Sequence, residues 1–293
     1  MVKFINILAF LFLSQYVYSQ QNLVLYLQSS TNRMEQLAIY KYQPVHVDKD
    51  VFLKYLDNLP SFGIDKDNYL ITGIPTNKKI TNHSADVKFQ LSIHQRLTKT
   101  ILPFNTYLVL SYAQKSFWNV YDESSPFWDN NYNPAMGIRK PIFNKHCFIG
   151  VVSLMMEHES NGKDFVSSRS WNFPSLSGIF LYNRNISYQV KVWYPIIGKD
   201  NTDLVKYKGY GLLVLNYTSN NKQLKLSAIF NPTDNFSQLN TTLELNYKLS
   251  KNANQFLFLQ FYSGYAEGLL NYKEYTSMIR IGICIKQDIL SFY

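Results

Sequence analysis

Apolar and polar residues alternate over much of the chain after residue 68. In DVKFQLSIHQ (86–95), valine, phenylalanine, leucine and isoleucine occupy every second position, and lysine, glutamine, serine and histidine lie between them. TLELNYKL (242–249) and MIRIGICIK (278–286) show a similar pattern. A repeat of two residues puts the apolar side chains on one face of an extended chain, which is the strand signal. The pattern therefore predicts β-strands.

About twelve alternating segments can be distinguished, near 68–76, 86–98, 105–121, 132–140, 144–161, 165–182, 187–197, 208–218, 222–231, 237–249, 254–264 and 276–288. Many are longer than the roughly five or six residues of a strand in a soluble protein. Long alternating strands in even number are typical of outer-membrane barrels. We therefore predict an all-β fold, a twelve-stranded antiparallel transmembrane outer-membrane β-barrel over residues 66–293. A secreted β-sandwich, the alternative, would have shorter strands.

The first residues of the chain have the features of a secretory signal. Residues 1–19 contain a positive charge at Lys3, an apolar stretch over 5–13 and a small-residue cleavage site before Gln20. That stretch is well short of the about 20 residues of a membrane-spanning helix. Residues 20–65 lack sustained alternation, and VFLKYLDNL within them has helical spacing. We predict an exported protein with an N-terminal extension to which no role is assigned.

Composition narrows the possible partners. The chain has 293 residues, 23 Tyr, 20 Phe and a net charge of +9 without a run of lysine and arginine. This distribution argues against nucleic acid as a partner and favours contact with anionic lipid headgroups. Cys147 and Cys284 each lie in an apolar run, which favours two small buried or lipid-facing residues over a disulfide, although an oxidising compartment would permit one.

The apolar run CFIGVVSLMM ends in EHESNG, residues 157–162. In a strand, Glu157 and Glu159 share one face, and His158 and Ser160 share the other. Two carboxylates facing lipid would be very costly, so the glutamates are expected to face the polar lumen. His158 and Ser160 then face outward near the edge of the lipid layer. Spacing alone also fits two interfacial polar residues that end a strand.

The next segment supplies a third polar residue. SSRSWN begins it, and the register that turns Trp171 inward turns Asn172 outward, towards His158. A serine nucleophile needs a base within hydrogen-bond reach, and the base needs a third group to orient it. The amide oxygen of Asn172 can accept the imidazole N–H without adding charge at the membrane surface. We therefore predict a triad of Ser160, His158 and Asn172.

HESNG and SRSWN together closely resemble the signature of the outer membrane phospholipase A family. SYAQKSFWNVYDESSPFWDNNYNP and DVKFQLSI also match that family. The resemblance runs from about residue 68 to the C-terminus, and the N-terminal extension matches poorly. It implies a twelve-stranded barrel of the bacterial outer membrane that hydrolyses phospholipid acyl esters, with A1, A2 and lysophospholipase activity. The resemblance also implies that calcium is required and that the active form is a homodimer.

The resemblance assigns roles to individual residues. Ser160 would be the nucleophile, His158 the general base and acid, and Asn172 the residue that orients the imidazole. The backbone N–H of Gly162 would help to hold the oxyanion.

Calcium would bind the carbonyl oxygen of Lys163, Ser168 of the same subunit, and Ser124 of the partner subunit. Gln114 would lie at the dimer interface; facing the lumen is the alternative for this residue. Lys163 replaces the family's usual arginine, and the acidic residue of this turn, Asp164, is displaced by one position. These departures leave the number of calcium ligands open.

Two competing interpretations were considered. HESNG loosely resembles the G-x-S-x-G motif of soluble serine esterases, but that motif needs a strand–turn–helix context with the histidine far downstream. The alternative from a different functional class is a non-catalytic outer-membrane barrel, a porin or adhesin in which the site has decayed.

Overall fold

The computed structural model describes residues 48–145, 147–198, 201–250, 254–286 and 293. The predicted signal segment and most of the predicted extension therefore lie outside the described residues. No helix in the described part is long and apolar enough to cross a membrane.

Fourteen antiparallel strands form one sheet: β1 (Phe62–Gly63), β2 (Asn68–Pro75), β3 (Asp86–Arg96), β4 (Tyr107–Trp118), β5 (Phe127–Asn144), β6 (Cys147–Ser160), β7 (Ser170–Leu181), β8 (Ile186–Trp193), β9 (Ile196–Ile197), β10 (Gly211–Thr218), β11 (Leu224–Pro232), β12 (Leu239–Lys248), β13 (Gln255–Gly264) and β14 (Thr276–Ile285). All strands except the short β1 and β9 form a closed barrel of twelve strands. Each strand pairs with its neighbour from β2 through β14 and back to β4, and β3 closes the ring by pairing with both β2 and β4. Closure leaves no unpaired edge in the membrane. The predicted fold class is confirmed.

The strand starts that differ most from the prediction are those of β5 and β7. The segment near 132–140 is the middle of the longer strand β5, whose beginning was hidden by polar residues. Asp129 and Asn131 face inward there and accept backbone hydrogen bonds from Leu270 and Leu269. The strand expected from residue 165 begins at Ser170, because Phe165–Ser167 forms a 3-10 helix.

The alternating residues occupy the expected faces. Leu243 and Leu245 on β12 are 45% and 39% exposed, whereas Glu244 and Asn246 between them are buried. Outward apolar residues of the other strands likewise remain exposed in this ligand-free chain, which leaves a hydrocarbon-like outer surface.

Charged and aromatic side chains occupy much of the lumen and surround a cavity of about 260 Å³. Arg280 forms ion pairs with Asp86 at 2.7 Å and with Glu267 at 2.6 Å, and Lys88 also pairs with Glu267 at 2.9 Å. An apolar cluster occupies the part of the lumen where β13 begins and β14 ends, formed by Tyr69, Ile71, Phe256, Phe258 and Cys284. Cys147 and Cys284 form no disulfide with each other, and Cys284 is buried in this cluster.

The two ends of the barrel differ in their connections. One end has short turns such as 182–185 and 219–223, and the other has longer loops such as 161–169 and 265–275. Outer-membrane barrels have short periplasmic turns and long external loops, so the long-loop end is the external end. Helix α1 (Lys49–Asn58) precedes the barrel in the chain. A further external loop, 194–210, contains β9 and a short helix, α2 (Leu204–Lys208).

Helix α1 lies against the periplasmic end. Phe52 stacks on Phe148 with ring centroids 4.4 Å apart, and the guanidinium of Arg96 donates to the carbonyl of Leu59 at 2.8 Å. Asp48 caps the first turn by accepting from the N–H of Asp50 at 2.9 Å. Helix α1 and β1 thus attach part of the predicted extension to the barrel.

Candidate active site

His158 on β6 and Asn172 on β7 are paired directly across the two strands. The imidazole Nδ1 lies 2.9 Å from Oδ1 of Asn172. An amide oxygen can only accept a hydrogen bond, so Nδ1 carries the proton and Nε2 is left as an acceptor. The register of the β6–β7 hairpin therefore sets the tautomer of this imidazole.

Ser160 lies on the same strand and the same face as His158, two residues further on. Strand geometry separates two such Cα atoms by roughly 6.6 Å. Among the described residues, no hydrogen bond joins Ser160 Oγ to the imidazole. Hydrogen bonds of this kind are often long without substrate and shorten in the substrate complex. The structure thus forms the contact between His158 and Asn172 and leaves Ser160 beside it.

Glu157 and Glu159, which alternate with His158 and Ser160 along β6, face the lumen as predicted. Glu157 forms an ion pair with Lys191 at 2.7 Å, and Glu159 forms one with Lys208 at 2.8 Å. The indole N–H of Trp171 also donates to Glu159 at 2.8 Å. These inward contacts hold the strand ends in one register, so His158 and Ser160 face outward.

Strand β5, which pairs with the other edge of β6, has a proline opposite His158. Proline at position 134 has no N–H to donate to the carbonyl of His158. The side chain of Asn133 donates to that carbonyl instead, at 3.0 Å. Sequence analysis missed Asn133, whose only signal was its position before a proline.

A groove on the outer surface of the barrel leads away from the imidazole. It encloses about 550 Å³, and its apolar lining includes Tyr112, Pro134, Met136 and Met156 beside His158. Most of its lining surface is apolar, and it opens outward. Its size and chemistry fit a hydrocarbon chain that reaches the imidazole.

The loop 161–169 after Ser160 is organised by Asn161, which is only 3% exposed. Its side-chain oxygen accepts from the N–H of Arg169 at 2.9 Å and of Lys163 at 3.3 Å. Its side-chain nitrogen donates to the carbonyl of Ser167 at 2.8 Å. Asn161 thus draws both ends of the loop together. The sequence motif gave no role to Asn161.

Gly162 adopts a left-handed conformation, with φ of 63°. A Cβ at this position would lie 2.9 Å from the ring of Tyr132, and β-carbons are disfavoured at this φ. Its N–H donates to no acceptor in the described part of the chain. The position therefore requires glycine and presents a backbone donor next to Ser160.

The predicted calcium ligands lie on two external loops. The carbonyl of Lys163 accepts no hydrogen bond from any described residue, and Asn161 holds it on the same short loop as Ser168. Ser124 is exposed in loop 119–126, with φ of 63°. No group of three or more His, Cys, Asp or Glu suited to a metal occurs among the described residues. Neutral carbonyl and hydroxyl oxygens fit calcium, which completes its coordination with water.

Gln114 faces outward rather than into the lumen. It accepts from the hydroxyl of Tyr112 at 3.2 Å and donates to Ser116 at 3.0 Å, on the outer face of β4. Through strand pairing, Gln114 lies in one row with Tyr132 and Ser160. The lumen-facing alternative for Gln114 is therefore wrong.

Comparisons with known proteins identify the family of this chain. The family model described as phospholipase A1 matches residues 31–285, so the match extends into the segment that the motifs did not cover. Phospholipase A1 of Escherichia coli strain K12 is 33% identical over 208 residues, which cover 68% of this chain and 69% of that protein. The Salmonella typhimurium protein of that name is also 33% identical, with the same coverage.

Solved structures give the same result. Outer membrane phospholipase A from Escherichia coli superposes with a TM-score of 0.70 and 29% identity, covering 78% of this chain and all of that one. The Salmonella typhi outer membrane phospholipase, described as a dimer with bound calcium, has a TM-score of 0.68, 30% identity, and coverage of 76% and 91%. An active-site mutant of the Escherichia coli enzyme with asparagine replaced by alanine has a TM-score of 0.69, 30% identity, and coverage of 80% and 95%. The chain belongs to the phospholipase A1 family of bacterial outer-membrane β-barrels.

Proposed function

We propose that this outer-membrane phospholipase is a calcium-dependent serine hydrolase, active as a homodimer, with A1, A2 and lysophospholipase activity. One observation carries the proposal. The hydrogen bond between His158 and Asn172 lies on the outer face of the barrel, two residues from Ser160 and at the end of an apolar groove. In a serine hydrolase, a hydrogen bond to Nδ1 fixes the tautomer in which Nε2 can accept a proton from the serine.

In the first half of the reaction, Ser160 Oγ attacks the ester carbonyl carbon and transfers its proton to Nε2 of His158. Asn172 holds the other side of the imidazole while it is positively charged. The N–H of Gly162 donates to the oxygen that becomes negative. Collapse of the intermediate breaks the ester bond, and His158 returns the proton to the leaving alkoxide.

In the second half, a water molecule transfers a proton to Nε2 and attacks the acyl–serine ester. The fatty acid leaves, and Ser160 regains its proton from His158. The groove beside the imidazole would hold the acyl chain, which places the ester rather than the hydrocarbon next to Ser160.

Calcium would be held by the carbonyl of Lys163 and by Ser168, with Ser124 of the partner subunit completing the site. When bound there it would supply positive charge near the developing oxyanion. Three neutral protein oxygens leave the remaining coordination positions to water. The Salmonella typhi relative described as a dimer with bound calcium supports this assignment.

Gln114 is proposed to lie at the dimer interface. Its amide donates one N–H to Ser116 and leaves the other without a partner among the described residues, on the lipid-facing surface where an unpaired polar group is unfavourable. A second barrel that covers this row would offer it a polar partner.

A non-catalytic porin is disfavoured by the interior of the barrel. Ion pairs cross the described lumen, and the backbone of loop 265–275 is bound to Asp129 and Asn131 at its external end. A porin needs a water-filled channel.

The test is ester hydrolysis by the purified protein in detergent, with calcium and with EDTA. Wild-type protein should hydrolyse phospholipid only with calcium, and Ser160→Ala should abolish turnover. Ser170→Ala is the matched control, since Ser170 is paired directly with Ser160 across the strands and has no proposed role. Near-normal hydrolysis by Ser160→Ala, or full activity in EDTA, would contradict the proposal.

A further inference from the structure

Two apolar side chains project from the loop that adjoins the candidate site. Phe165 is 92% exposed and Val166 is 90% exposed, the highest fractions among the large apolar residues of the described chain. Phe165 also adopts a left-handed conformation with φ of 49°, which is strained for a residue with a side chain. The strained backbone of Phe165 thus holds its aromatic ring away from the rest of the protein.

The backbone behind these side chains is internally hydrogen-bonded. The carbonyls of residues 164 and 165 accept from the N–H groups of Ser167 and Ser168, at 3.2 and 3.0 Å. The carbonyl of Ser167 accepts from Asn161 at 2.8 Å.

The guanidinium of Arg169 donates to the two remaining carbonyls of this segment. It bonds the carbonyl of Val166 at 2.9 Å and that of Ser168 at 2.7 Å. All five carbonyls from 164 to 168 thus have donors within the loop. A loop whose carbonyls are already satisfied loses fewer hydrogen bonds to water on entering a poorly hydrated layer than a loop with free carbonyls does.

The loop also lies at the level of the outer membrane surface. It connects β6 and β7 directly at the external end, where the lipid-facing surface of those strands ends. Leu154 and Leu176, further down the two strands, are each about half exposed and face lipid. The tip therefore lies beyond the end of this lipid-facing surface, past the polar row of His158, Asn172, Ser160 and Ser170.

We propose that Phe165 and Val166 insert into the outer leaflet at the boundary between headgroups and acyl chains, as a rigid anchor for the active-site loop. In the monomer the occupant of this surface is lipid, because the tip lies directly above the lipid-facing face of β6 and β7 and its own carbonyls are already hydrogen-bonded. Insertion fixes the height of Gly162 and Lys163 relative to the ester bonds of surrounding lipids. This proposal depends on the membrane placement of the barrel and not on the proposed chemistry.

The test locates the tip with a fluorescent label. Val166→Cys is labelled in a Cys147→Ser background, since the buried Cys284 does not react. The whole protein is placed in vesicles of dialkyl-ether phosphatidylcholine, which contain no ester to hydrolyse, with EDTA and excess lipid to keep barrels apart. Quenching by a lipid-borne nitroxide and by aqueous iodide is then measured. Leu154→Cys provides the lipid reference, and Lys222→Cys, in an exposed periplasmic turn, provides the water reference.

The label at Val166 should be quenched by the lipid nitroxide and shielded from iodide, as the label at Leu154 is. Phe165→Asp should abolish that shielding, whereas Phe236→Asp, on an exposed loop across the barrel, should leave it unchanged. Quenching like that of Lys222 would overturn the proposal. Shielding from iodide without quenching by the lipid nitroxide would also overturn it, because a second protein chain would then cover the tip. Hydrolysis plays no part in the measurement, so a failed catalytic assignment would leave its result unaffected.

Discussion

The imidazole Nδ1 of His158 lies 2.9 Å from the amide oxygen of Asn172, across directly paired positions of β6 and β7. In the proposed mechanism this contact orients the imidazole without taking part in proton transfer, so Asn172→Ala should be less harmful than the loss of His158 or Ser160. We expect Ser160→Ala and His158→Ala to lower kcat by about 10³-fold or more, and Asn172→Ala by clearly less. Steady-state kinetics on phospholipid in mixed micelles would measure this, with Leu176→Ala as the control on the same strand face. A loss in Asn172→Ala as large as in Ser160→Ala would contradict the assigned order.

Asn161 should act on calcium binding rather than on the barrel. Asn161→Ala removes three hydrogen bonds that hold Lys163, Ser167 and Arg169 together. An unsatisfied buried group costs about 1–3 kcal/mol, so the calcium concentration for half-maximal activity should rise by about tenfold or more.

The control for this change is Asn183→Ala. Asn183 makes similar backbone hydrogen bonds, to Asn185 and Ile186, in a turn at the opposite end. Calcium titrations of activity, together with thermal unfolding, would separate the two effects. Unchanged calcium dependence in Asn161→Ala would show that the loop does not need this residue.

Calcium and dimerisation should favour each other. If Ser124 of the partner subunit completes the site, then calcium binds the dimer better than the monomer and must promote dimerisation in return. Ser124→Ala should weaken calcium-promoted dimerisation in analytical ultracentrifugation in detergent. Ser237→Ala, in the loop between β11 and β12 on the far side of the barrel, is the control. Full activity of a demonstrably monomeric preparation would refute the mechanism.

Two external loops are joined by a pH-dependent contact. Asp203 accepts hydrogen bonds from Lys273, at 2.7 Å, and from the hydroxyl of Tyr272, and these bonds lower the pKa of Asp203 below its usual value. A lowered pKa in the folded state means that the contact stabilises the loops above the ordinary aspartate pKa of about 3.9 and is lost as pH falls through the folded value. The effect should be small because Lys273 is largely exposed.

Hydrogen exchange in loop 265–275 would measure this contact. Asp203→Asn should exchange faster than wild type at neutral pH, and the difference should narrow once the pH falls well below the ordinary aspartate value. Asp234→Asn, in loop 233–238, serves as the control because no ion pair to Asp234 occurs in the described structure. Equal exchange in wild type and Asp203→Asn at neutral pH would rule out a stabilising contact.

The alternation of side chains determined the strands, their faces and most of the site. It separates His158 from Glu157 and Glu159 reliably, because a carboxylate cannot face lipid and neighbouring residues of a strand must face opposite ways. The number of strands and their approximate positions follow from the same repeat. The functional assignment came from the resemblance of HESNG and SRSWN to a family, which spacing alone could not supply.

Only the tertiary structure decided how distant parts of the chain meet. The hydrogen bond between His158 and Asn172 depends on the pairing register of β6 and β7, and the true start of β7 depends on how Asn161 folds the loop before it. The early part of β5 appeared too polar for a strand because its partner, the backbone of Leu270, is 141 residues away. The face of a side chain is a local property of the backbone, whereas register and loop conformation depend on contacts between residues far apart in the sequence.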